Sequence, residues 1–244
     1  MPLPPVPLTP GDVQLWLLTS DAAPVPDRAL AMLDAEERLR ADRFKRARDR
    51  ASFIRAHAFL RGLLGHLTGE APDRIAIITA RGGKPHLARQ DGPQFSLSHS
   101  GDHVLVGLAT DPVGVDVEAV RPIPDHRDIA RRFFAPGEQS SLAALADKDQ
   151  EQAFFACWTR KEAFVKALGT GLSHPLDRFT VSVDPRRPAA LLAVEGDANP
   201  ALSWSMWGER VAAEAWAAAV VRRPDARFIL KPVGPAEDWL RRLC

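Results

Sequence analysis

Apolar and polar positions alternate with two different periods along this chain, and the switches between them predict its elements. GDVQLWLLTS, from Gly11 to Ser20, reads as a first strand. From Leu33 to Glu70 the period lengthens. Asp34 with Glu37 forms a capping box with Asp in place of Ser or Thr, and Phe53, Ala56, Leu60, Leu63, Leu64 and Leu67 recur at helical spacing. One helical stretch is therefore expected there. Ile75–Ala80 reads as a short strand, RGGKP as a turn, and Phe95–Ser98, His103–Ala109 and Val113–Val120 as further strands.

A second helical region begins near Asp125. Asp149 is the expected cap of a long helix to Leu168, and Gly169 stands where a helix-ending glycine belongs. Strand patterns follow at Phe179–Val183, Ala189–Val194, Leu202–Trp207, Ala213–Val221 and Phe228–Val233, with Leu240 in a short terminal helix. The first ten residues are proline-rich and expected to be extended. Strand, helices, strands thus occurs twice. That order predicts two similar α+β halves meeting around residues 110–113, tightly joined because no low-complexity linker separates them.

Composition narrows the function. The 244 residues carry a net charge of +1, so no global basic field argues for nucleic acid or a membrane surface, and an anionic ligand must be held by local charge. No run of about 18 apolar residues predicts a membrane span. Two cysteines, Cys157 and Cys244, make neither a disulfide framework nor a zinc spacing and suit a reducing cytoplasm.

The candidate chemistry sits in two stretches. In VGVDVEAV, Asp116 and Glu118 share one face of a strand, and two such carboxylates repel unless a cation or water separates them; a solvated strand face is the plainer reading. In WTRKEAFVKALGTGL, Glu162 and Lys166 share a helix face with Trp158, either as a surface ion pair or as part of a site. Lys161 is adjacent to Glu162 and is expected to be exposed. Ser98 and His99 end a strand in SLSHSG. They are poorly placed as a nucleophile and base but plausible as separate donors to phosphate oxygens. Lys84 rides the RGGKP turn, which is no P-loop because Pro85 follows the lysine. Arg38, Arg40, Arg43, Lys45 and Arg46 mostly read as an exposed charged face, and no HExxH, CxxC or GxGxxG occurs.

Taken together and in order, GGKP, FSLSHSGDHVLVGLA, VGVDVE and WTRKEAFVKALGTGL resemble the Sfp-type 4′-phosphopantetheinyl transferases over about residues 34–183. The resemblance implies a pseudo-dimer of two α+β halves, here 1–112 and 113–244, with coenzyme A in the cleft between them. It implies Mg²⁺ on Asp116, Glu118 and Glu162, a pyrophosphate contact from Lys166, and Glu162 also as general base for a carrier serine. It places Lys84, Ser98 and His99 on the nucleotide phosphates and Arg40 on the 3′-phosphate. Glu37 departs from the pattern, since some members carry a second lysine there.

The expected partners are coenzyme A and apo acyl or peptidyl carrier proteins. The expected carrier surface includes Phe133, Phe134 and Leu142. The two-half length favours, by analogy, a monomer serving polyketide or nonribosomal-peptide carriers. Two rival readings are a non-catalytic coenzyme A- or carrier-binding module and a Ser-His hydrolase using Ser98 or Ser100 with His99. Release of adenosine 3′,5′-bisphosphate with a modified carrier separates all three.

Overall fold

A computed structural model describes residues 7–19, 24–79, 83–89, 91–170, 174–234 and 240. The first half runs β1 (Asp12–Thr19), α1 (Asp27–Ala31), α2 (Ala35–Asp42), α3 (Ala47–Thr68), β2 (Ile77–Thr79), β3 (Pro85–Leu87), β4 (Gln94–Ser100) and β5 (His103–Ala109). The second runs β6 (Val113–Ala119), α4 (His126–Phe133), α5 (Pro136–Ala143), α6 (Asp147–Leu168), β7 (Phe179–Val181), β8 (Leu191–Val194), β9 (Ser205–Ala212) and β10 (Ala215–Val221). β11 (Arg227–Val233) then returns to the first sheet.

The fold is the expected α+β pair of halves. Its repetition is plainer in space than in sequence. One sheet has the order β11-β1-β5-β4 and the other β6-β10-β9. In each, an opening strand pairs antiparallel with the second strand of a later hairpin. α3 and α6 are both 22-residue helices, and they close alike. Gly69 (φ +73) and Gly169 (φ +74) adopt the left-handed conformation that only glycine takes without cost, and each donates its N–H to the carbonyl four residues back.

The core follows from the alternation. Trp16 and Leu18 of β1 and Val104, Val106 and Leu108 of β5 pack with Phe53, Phe59 and Leu63 of α3. Val13, Leu15 and Leu17, on the other face of β1, pack with Val113, Val115 and Val117 of β6 and Ala217 and Ala219 of β10. Phe164 and Val165 of α6 close the second half with Trp216, Ala218 and Val220. Each sheet therefore carries its long helix on one face and meets the other sheet on the opposite face.

Several expectations need correction. The helical stretch after Asp34 is two helices, α2 and α3, separated at Arg43–Arg46. Phe44 turns there to lie 5.3 Å from Phe53, ring to ring, so tertiary contact breaks the helix where no Gly or Pro does. α6 begins at Asp147 with Ala146 at its cap, and Asp149 lies in the first turn. Leu202 belongs to a 3-10 turn, β9 runs on through Gly208–Arg210, and Ala213 lies in the turn before β10. The first proline-rich residues, Ala80–Gly82 of the glycine turn, Cys244 and the neighbours of helical Leu240 lie outside the described residues.

Candidate active site

Side-chain hydroxyls join the two halves beside the site. Ser96, Ser98 and Ser100 occupy alternate positions of β4 and so point the same way, toward β6. The Val115 N–H donates to Ser96 Oγ (3.1 Å), Ser98 Oγ donates to Asp116 Oδ1 (2.8 Å), and Ser100 Oγ donates to Glu118 Oε2 (2.7 Å) while accepting from the Ala119 N–H (3.2 Å). The two carboxylates are thus held by the seam between the halves, in place of a backbone ladder.

α6 brings the other acid and the lysine. It lies so close to β6 that a side chain at Gly114 would run into the backbone at Ala163 and Ala167, so glycine is what lets the helix settle there. Lys166 Nζ then donates to Asp116 Oδ1 (2.7 Å) and Ser98 Oγ (3.0 Å). Asp116 is 4% exposed, yet its Oδ2 is buried with no hydrogen-bond partner. A buried carboxylate oxygen left unbonded is costly and marks a place for a ligand. Burial raises the Glu118 carboxyl; the Ser100 bond counters this, and the charge of Asp116 adds to it. Burial also raises Glu162, as do the charges of Asp116 and Glu118, against Lys166. The three acids feel one another. Even so, among the described residues no three acidic, histidine or cysteine side chains already stand as a metal cage.

Beside these groups opens a cavity of about 480 Å³, lined among others by Arg40, Lys84, His99, Glu162 and Lys166. Lys84 donates to the Val113 carbonyl, and burial lowers its pKa to about 8. His99 is lowered by burial, then by the charges of His57, Lys166 and Arg40; its Nδ1 lies 3.3 Å from Ser52 Oγ. Ser98, Asp116 and Glu118 are not among the residues that line the cavity. Ser98 therefore orders Asp116 and Lys166 in this structure. It does not partner His99, which removes the geometry a Ser-His hydrolase needs.

Two expectations fail here. Lys161 is fully buried, bonded to both oxygens of Glu138 (2.7 Å each) and to the Phe179 carbonyl (2.9 Å), with its Nζ 4.2 Å from the centre of the Phe179 ring. Its neighbour Glu162 takes the cavity side, and α6 is enclosed on the other side as well. Phe134 and Leu142 are core residues at 1% and 3% exposure, so of the three expected carrier contacts only Phe133 reaches the surface. Sequence reasoning also missed the buried Arg61. It pairs with Asp34 and Glu37 and donates to the carbonyls of Pro72 and Ile75, and the capping box at Asp34 was the one hint of it.

Two α+β halves joined at a seam of acids, with a cavity alongside that Arg40, Lys84 and Lys166 help to line, define the class. Residues 112–221 match the profile of the 4′-phosphopantetheinyl transferase superfamily, and residues 24–112 match that of the 4′-phosphopantetheinyl transferase N-terminal region. The chain is 34% identical over 198 residues to the 4′-phosphopantetheinyl transferase HetI of Nostoc sp., covering 78% of this chain and 83% of that one. It is 32% identical over 155 residues to the 4′-phosphopantetheinyl transferase Sfp of Bacillus subtilis, covering 64% and 68%. The chain belongs to the 4′-phosphopantetheinyl transferase family, and it is an enzyme.

Proposed function

We propose that this chain moves the 4′-phosphopantetheine arm of coenzyme A onto a serine of an apo carrier protein, with coenzyme A and Mg²⁺ in the cleft between halves 1–112 and 113–244. One observation carries the reading. Asp116, Glu118 and Glu162 come together from a strand and a helix, with Lys166 among them, at the edge of a cavity lined by Arg40, Lys84 and His99.

The donor set fits a hard divalent ion. Asp116 Oδ2 is buried and unbonded, and Glu118 and Glu162 are held toward their neutral forms by burial and mutual repulsion, a strain that a shared cation relieves. Binding would draw Glu118 and Glu162 toward Asp116. Once held there, Mg²⁺ would neutralise charge on the phosphate oxygens.

The rest falls to the chain's own groups. The serine oxygen bonds to the phosphorus that bears the pantetheine arm, the bond from that phosphorus to the bridging oxygen breaks, and adenosine 3′,5′-bisphosphate leaves. Glu162, which lines the cavity, takes the serine proton. Lys166 donates to the oxygen gaining charge. Lys84, His99 and Arg40 hold the phosphates, and Ser98 keeps Asp116 and Lys166 in place. Phe133, exposed beside Trp158 at a ring separation of 6.2 Å, is the remaining apolar contact for a carrier. Carriers of polyketide and nonribosomal-peptide synthesis are the partners proposed, for a monomeric cytoplasmic enzyme.

The test is to mix the protein with coenzyme A, Mg²⁺ and a panel of apo carriers and weigh the products. A carrier should gain the mass of the phosphopantetheine arm, and excess EDTA should stop the gain. Glu162→Gln should lower kcat by ~10²–10⁴-fold while coenzyme A still binds. Activity that persists in EDTA removes the metal from the reading, and near-normal turnover by the variant removes Glu162 as base.

A further inference from the structure

The wall of the cavity formed by α2 and α3 poses a charge problem. Asp34, Glu36 and Glu37 all line a space expected to take a polyanion. An unpaired carboxylate there would repel the ligand. Glu37 is not unpaired: Arg61 holds Oε2, and His57 Nδ1 lies 2.7 Å from Oε1. Against the effect of burial, the bonds and charges of His57 and Arg61 hold the Glu37 carboxyl below its ordinary range.

His57 itself lines the cavity. Its ring stacks on Phe53 with centroids 4.0 Å apart, and the Arg40 guanidinium stands over the same ring at 5.2 Å. The charge of His57 reaches His99, as do those of Arg40 and Lys166. A staple between α2 and α3 does not require an imidazole facing the cavity. Arg61, fully buried, already binds both Asp34 and Glu37. With Nδ1 engaged by the carboxylate, Nε2 is the nitrogen left for a ligand.

Resting on the coenzyme A reading above, we infer that His57 is a phosphate-binding residue: oriented by Glu37, it donates Nε2–H to the 3′-phosphate monoester of the nucleotide, beside Arg40. The chemistry matches on both sides. A phosphate monoester offers acceptor oxygens, and an imidazole whose Nδ1 faces a carboxylate presents Nε2–H as a donor. Lys84 and Lys166, on the side of β6 and α6, remain for the pyrophosphate.

The experiment compares coenzyme A with 3′-dephospho-coenzyme A, titrated calorimetrically into the wild type and His57→Gln. The wild type should prefer coenzyme A. The variant should lose about tenfold in affinity for coenzyme A, the scale of one charge-assisted hydrogen bond, and none for the dephospho form. Equal losses for both ligands would show a staple only and overturn the assignment, as would no loss at all. A wild type that binds neither ligand overturns the coenzyme A reading itself, and this assignment with it. Should the variant fail to fold, the imidazole ¹H–¹⁵N spectrum of the wild type decides. The His57 Nε2 signal should move with coenzyme A and stay with the dephospho form; an equal shift with both sinks the idea.

Discussion

Two lysines five residues apart on α6 each meet a buried carboxylate, with opposite outcomes. Lys161 and Glu138 are both fully buried, and every contact is answered. The lysine binds two carboxylate oxygens and a carbonyl, and Glu138 also accepts from the Val181 and Ala135 N–H groups. Lys166 is 31% exposed, and its partner Asp116 keeps one oxygen buried and unbonded. A saturated pair has no valence left for a ligand and can only hold structure. The unsaturated pair, open to a cavity on one side, is held ready for one.

The largest expected effect comes from breaking the saturated pair. Lys161→Met leaves Glu138 charged and buried without a counter-ion, which should cost ~3–5 kcal/mol in urea unfolding. The kcat of the molecules that remain folded should not change. A loss of turnover at undiminished stability would erase the contrast.

Lys166→Met should behave the other way. Stability should fall less than for Lys161→Met, because the lysine is partly in water and Ser98 still donates to Asp116. Turnover should fall by ~10²–10³-fold, the scale of one donor lost at a developing negative charge. Matched melting curves and rates for the two variants test the comparison directly.

The smallest effect sharpens it. Glu118 is held above the usual carboxylate range, burial being the main cause, so at neutral pH its charge is a cost to the fold. Glu118→Gln should therefore raise the melting temperature of the metal-free protein by no more than about 2 °C, since the group is half-buried and partly screened. The gain exists where Glu118 is ionised in the folded protein. It should shrink as pH falls through the raised value and vanish below the ordinary 4.5, where the acid is neutral folded or unfolded. Added Mg²⁺ should reverse the order, stabilising the wild type more. A variant that melts lower at neutral pH without metal would refute the costed charge.

Where one physical signal dominates, the sequence was readable. His103–Ala109 is a short, β-branched apolar run and is a strand over those very residues, and Gly169 ends α6 as its position predicts. The directions of Asp116, Glu118, Glu162 and Lys166 were readable because they lie on regular elements whose periods fix which way they point. Lys161 was not, because a lone lysine on a helix gives no sign of a glutamate 23 residues away that will enclose it. Nor was the role of Glu37, whose partners His57 and Arg61 lie 20 and 24 residues on and meet it only after the chain breaks between α2 and α3. Ser98 was read as a phosphate donor, and only the approach of β6 shows it, with Ser96 and Ser100, as the join between the halves.

The return of β11 to the first sheet has a consequence for synthesis. β1 pairs with β5 on one side and, in parallel, with β11 on the other, and Asp12 meets Arg227 across 215 residues of chain. At ~5–20 residues per second a ribosome takes roughly 10–40 s to cover that distance. In the later part of that interval, once β5 has been made, the nascent first half holds β1 with one edge bare. Its QLWLL run is the kind of segment that recruits a stray strand or a chaperone. The enzyme's first strand is thus among the last to be completed, and the yield of folded protein depends on how long that edge waits.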